Sequence, residues 1–121
     1  MSSRAPAQAD LAMAIANVGQ ARSYLHDAVN RVWDQITEGG DAADSQRVEL
    51  RIAAAAAAQR SVEAVDLCYH AVGGAAVFES SPLQRVFRDI HVAITHGMIT
   101  PRILEPLGRF HFGLPTNTRM F

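Results

Sequence analysis

The sequence contains no lysine. That removes Schiff-base chemistry and the P-loop lysine at a stroke. Cysteine occurs once, at Cys68, which excludes an internal disulfide and any multi-cysteine metal site. No apolar run approaches the ~18 residues of a membrane span. The N-terminus shows no charged segment leading into an apolar core, so no secretory signal is expected. These absences predict a soluble, cytoplasmic protein with no membrane partner. Charge is sparse as well: 11 arginines against 12 acidic residues give a net charge of −1. With no basic cluster, a nucleic-acid backbone is not an expected partner. No stretch alternates with period two, so no strands are predicted.

Alanine, by contrast, is abundant: 21 of 121 residues, six of them consecutive at Ala53–Ala58. Alanine is the strongest helix former, and the few glycines and prolines lie mostly between the periodic segments. A chain of this length, 49% hydrophobic, supports one domain with a modest core.

Three periodic segments follow a short arm at residues 1–9. In the first, Asp10 to Thr37, Leu11, Ile15, Val18, Leu25, Val29, Val32 and Ile36 form one helical stripe. Asp10 is the expected cap, and Gly39–Gly40 the expected stop. The second runs from about Ser45 to Val72, with Asp44 or Ser45 as N-cap, and ends at Gly73–Gly74. Its alanine run reads as a face of close helix approach. Ser81-Pro82 opens the third, whose stripe is Leu83, Val86, Phe87, Ile90, Ile94 and Met98. Thr100-Pro101 starts a further, kinked helix to about Phe112, with a second bend expected at Pro106. Residues 113–121 are expected to be an extended tail. The expectation is an all-α antiparallel helical bundle over residues 10–112, with an apolar stripe left for a fourth helix or a second subunit to cover.

Val72-Gly73-Gly74-Ala75, followed by Ser81-Pro82-Leu83-Gln84-Arg85-Val86-Phe87-Arg88-Asp89, resembles the C-terminal helical domain of the acyl-CoA dehydrogenase superfamily. Pro-Leu-Gln-Arg before Arg-Asp, with Gly108-Arg109 and Gly113 downstream, is closest to its flavin-dependent monooxygenase and desulfurisation oxygenase branch. The resemblance covers about residues 8–115. It implies that the chain lacks the first helix of the usual four, together with the two domains that carry most of the flavin and substrate sites. It also implies a flavin cofactor, FAD or FMN, not held tightly by this chain alone. The implied partners are a homo-oligomer, dimer or tetramer, and a flavin reductase or separate flavin-domain chain.

Arg85, Asp89, Val92 and His96 recur at helical spacings, which places His96 on the face of Arg85 and Asp89. The resemblance makes His96 the candidate catalytic residue, handling protons at the reduced flavin, work suited to a group that titrates near neutrality. Some dehydrogenases of the superfamily carry a catalytic glutamate nine residues after the arginine. Counted from Arg88 that position is Gly97, which cannot abstract a proton, so dehydrogenation is the weaker alternative. A non-enzymatic oligomerisation module is the other. Gly73 and Gly74 are the implied flavin-nucleotide contacts, since backbone without Cβ allows close approach. His70 stands where the family has glutamine, and Arg88 is a candidate phosphate contact. His91 is expected to be exposed or structural. There is no Glu-x-x-His on any expected helix, so no di-iron or zinc site is predicted.

Overall fold

The computed structural model describes residues 4–121. Four α-helices follow one another: α1 (Ala5–Thr37), α2 (Asp44–Val72), α3 (Pro82–Ala93) and α4 (Leu104–His111). There is no strand among the described residues, and no helix is long and apolar enough to cross a membrane. The architecture is the expected all-α one, with α1 and α2 paired as a long hairpin and α3 and α4 both packed on α2.

Helix α1 begins five residues before Asp10, so residues 5–9 are helical rather than an arm. Pro6 sits in the first turn, where its missing N–H costs nothing, and Asp10 lies inside the helix instead of capping it. Residues 1–3 of the expected arm lie outside the described residues. In α2 the cap is neither Asp44 nor Ser45. Ala43 holds that place, and the Gln46 side chain reaches back to accept its backbone N–H at 3.0 Å. Gly73 ends α2 at φ +70°, a conformation that glycine adopts without strain.

The hairpin is built on small residues. Ala14, Asn17 and Ala28 are the buried positions of α1, facing an α2 whose buried positions include Ala53, Ala55 and Ala64. Small side chains let two helix axes approach, and that close approach rotates the large apolar stripe of α1 out of the contact. Leu11, Ile15, Val18, Val29 and Ile36 remain 43–65% exposed; Leu25 and Val32 are half-buried. Arg31 ties the helices at the loop end, bonded to Asp27 on its own helix at 2.8 Å and to Glu49 on α2 at 3.3 Å.

The main apolar cluster lies elsewhere, between the N-terminal half of α2 and α4. Val48, Ala55, Ile103 and Leu107 are buried together, with Ile52, Phe110 and Phe121 packed on them. The 113–121 segment is therefore more than an extended tail. It closes with a tight turn at Thr118–Met120 that brings Phe121 edge-on to Phe110, ring centres 6.0 Å apart. Pro106 causes no second bend: it falls in the first turn of α4, directly after the turn at Pro101–Ile103.

Candidate functional site

The candidate residues are distributed along α3 and its two ends. At the near end, α2 finishes with His70, exposed, its Nδ1–H donating to the Asp66 carbonyl at 2.8 Å. A tight turn at Gly73–Val77 follows. A Cβ built on Gly73 or Gly74 would meet nothing within 4 Å among the described residues. Gly73 is therefore explained by its positive φ, whereas Gly74, exposed and without that requirement, presents bare backbone to whatever lies outside.

Ser81 caps α3 by position, and the Gln84 side chain donates to the Val77 carbonyl at 3.2 Å, fixing the turn against the helix. On α3 itself Asp89 lies 3.5 Å from Arg85 and 4.0 Å from Arg88, all three exposed. Arg85 and Arg88 thus share Asp89 as their ion-pair partner. Surface pairs of this kind contribute little to stability, so Arg88 remains available to an anion.

His96 is not on the helix. Helix α3 stops at Ala93, and the chain turns through residues 94–100, so the expected shared face of Arg85, Asp89 and His96 is broken. Thr95 helps to end the helix by donating its hydroxyl to the Val92 carbonyl at 2.7 Å. The His96 carbonyl then accepts from the amides of Ile99 and Thr100. The Met98 N–H donates to His96 Nδ1 at 3.3 Å, which leaves Nε2 as the protonated nitrogen of the neutral ring, in an exposed side chain. In the chain, Gly73–Gly74 precede α3 and His96 follows it, with a helix of 12 residues, roughly 18 Å long, between them. No group of three or more metal-ligating side chains occurs among the described residues.

Sequence reasoning missed one polar contact in this region. His91 Nε2 lies 3.3 Å from Asp66 Oδ1, across the α2–α3 contact. Their spacing of 25 residues on two different helices gave no signal that periodicity could register.

The sequence model of the acyl-CoA dehydrogenase C-terminal domain matches residues 1–101. The chain belongs to that family. The pigment production hydroxylase of Rhodococcus erythropolis is 35% identical over 91 residues, 75% of this chain and 23% of the hydroxylase. The oxygenase subunit HsaA of the flavin-dependent monooxygenase of Mycobacterium tuberculosis is 27% identical over 94% of this chain and 29% of its own length. Among solved structures, the 3-HSA hydroxylase of Rhodococcus sp. RHA1 superposes with a TM-score of 0.91 at 26% identity, covering 98% of this chain and 32% of the hydroxylase. The chain spans about a quarter to a third of the length of these relatives. The resemblance to the monooxygenase branch is thereby supported by sequence and by fold together.

Proposed function

We propose that this chain is the C-terminal helical domain of a flavin-dependent monooxygenase, where it builds the oligomer core and completes the flavin pocket. The observation that carries this reading is the superposition of nearly the whole chain on an oxygenase fold, TM-score 0.91 over 98% of its residues. The residues present fit a flavin. Gly74 offers backbone with open space above its Cα, Arg88 offers an exposed cation to a phosphate, and His70 adds a ring nitrogen beside the glycines. The cofactor, FAD or FMN, supplies oxygen-activating redox chemistry when bound. His96, at the other end of α3, holds a proton on Nε2 and can exchange it with solvent or substrate.

Homo-oligomerisation and a separate reductase or flavin-domain chain belong to the same proposal, as does a cytoplasmic location. In the complete enzyme, His96→Ala should lower oxygenation by roughly 10²–10⁴-fold with folding intact. Turnover near the unmodified rate, with oxygen use still coupled to product, would remove His96 from the chemistry. Calorimetric titration of FMN and FAD into this chain alone should show no tight binding. A sub-micromolar dissociation constant would mean that the site is self-contained.

A further inference from the structure

A cleft of about 700 Å³ opens between the middle of α2 and the 94–102 segment. That volume is in the range of small-molecule sites. Its polar lining is one-sided. Arg102, Gln59, Thr100 and the bare backbone of Gly97 border it, and among the described residues no carboxylate does. The Arg102 guanidinium, the Gln59 carboxamide and the Thr100 hydroxyl take part in no hydrogen bond or ion pair among the described residues. The Gly97 N–H makes no backbone hydrogen bond among them, and a Cβ built there would meet nothing within 4 Å. The nearest acids along the chain are already engaged, Glu63 by Arg60 at 2.8 Å and Glu105 by Arg109 at 3.7 Å. Arg102 therefore brings a permanent positive charge and a planar fork of donors with no internal anion to meet them. The apolar part of the wall is Val62, buried on α2, with Ile94 and Pro101 from the other segment.

We infer that this cleft is a binding site for an organic carboxylate with an apolar body. Arg102 takes the carboxylate through paired N–H donors, the geometry that guanidinium and carboxylate share. Gln59, Thr100 and the Gly97 N–H supply further donors, and Val62, Ile94 and Pro101 receive the body. A neutral ligand would leave the guanidinium without a counter-charge, and a cation would be repelled by it. Thr95 and Gly97, on either side of His96 in the chain, both border the cleft, so the bound molecule lies at the turn that carries His96. The site is built from this chain's own residues and stands independently of the flavin reading.

The test is a titration of this chain with sodium benzoate, followed by the amide resonances in two-dimensional NMR. Saturable shifts should appear at residues 59–62 and 94–102, with a dissociation constant of about 1–10 mM, ordinary for so small a probe. Benzamide, which keeps the ring without the charge, and acetate, which keeps the charge without the ring, should each bind at least about fivefold more weakly. Arg102→Gln should weaken benzoate by roughly five- to tenfold, a charged hydrogen-bond pair discounted for its exposure. Arg102 is exposed and unpaired, so its replacement removes no internal contact, and unchanged resonances elsewhere verify the fold. No saturable shift, shifts confined to other residues, equal binding of benzamide, or unaltered benzoate binding in Arg102→Gln each overturns the site.

Discussion

The two glycines that end α2 have different reasons to be there. Gly73 sits at φ +70°, ψ −146°, a region that only glycine occupies freely. Gly73→Ala should therefore cost about 1–3 kcal/mol, measured by chemical denaturation, even though the new Cβ meets nothing. Gly74 lacks that backbone demand, so Gly74→Ala should leave the stability of this chain unchanged within about 0.5 kcal/mol. A loss of flavin binding in the complete enzyme would then be read as a lost contact rather than a lost fold. Tyr24 makes a further residue-level prediction. Burial, and then Glu49, push its phenol above the ordinary value of 10.0; Asp27 adds to this and Arg31 opposes it. The folded state thus holds the phenolic proton more tightly than the unfolded chain does. That contribution is complete below the unfolded value and is lost as pH rises through the folded one. Tyr24→Phe should flatten the alkaline loss of stability; an identical alkaline profile would show that Tyr24 takes no part in it.

Among the elements, the alanine-lined seam between α1 and α2 and the Leu107 cluster fail in opposite ways. Ala28 is 2% exposed with no room for a larger side chain between two close helices. Ala28→Leu should destabilise by about 1–3 kcal/mol through overpacking, although it adds apolar surface. Leu107, fully buried between α2 and α4, should cost about 2–5 kcal/mol when cut to alanine, because the surrounding helices cannot close the cavity. Denaturant midpoints for the two variants separate these mechanisms. The existence of both long helices was readable from stripe and glycine stops. The end of α3 was not: Ile94 and Met98 continue the apolar spacing, but Thr95 and the His96 carbonyl redirect the backbone hydrogen bonds into a turn.

For the whole molecule, the decisive quantity is the apolar surface that the four helices leave uncovered. Leu11, Ile15, Val18 and Trp33 on α1 and Val86 on α3 are all at least 48% exposed. Burying a large apolar side chain contributes roughly 1.5–3 kcal/mol, so covering four or five of them is worth on the order of 6–15 kcal/mol. That rivals the entire stability of a small domain. Light scattering of this chain at micromolar concentration should accordingly give at least twice its 13.1 kDa mass. A well-folded monomer there would show that the stripe tolerates water in this chain.

Sequence alone determined the helical class, the hairpin of two long helices and the small-residue character of their contact, because each depends on local propensity and on spacing within one element. It also carried the Gly-Gly and Arg-Asp landmarks that mark the family. Which face of α1 meets α2 was decided only in three dimensions. The stripe from Leu11 to Ile36 has the stronger apolar pattern, yet the contact went to Ala14, Asn17 and Ala28, since close packing rewards small volume over hydrophobicity. The tertiary structure likewise decided the return of Phe121 to the core and the meeting of His91 with Asp66. Both join residues far apart in the chain, and no periodicity records a contact between two elements whose relative placement is set by packing.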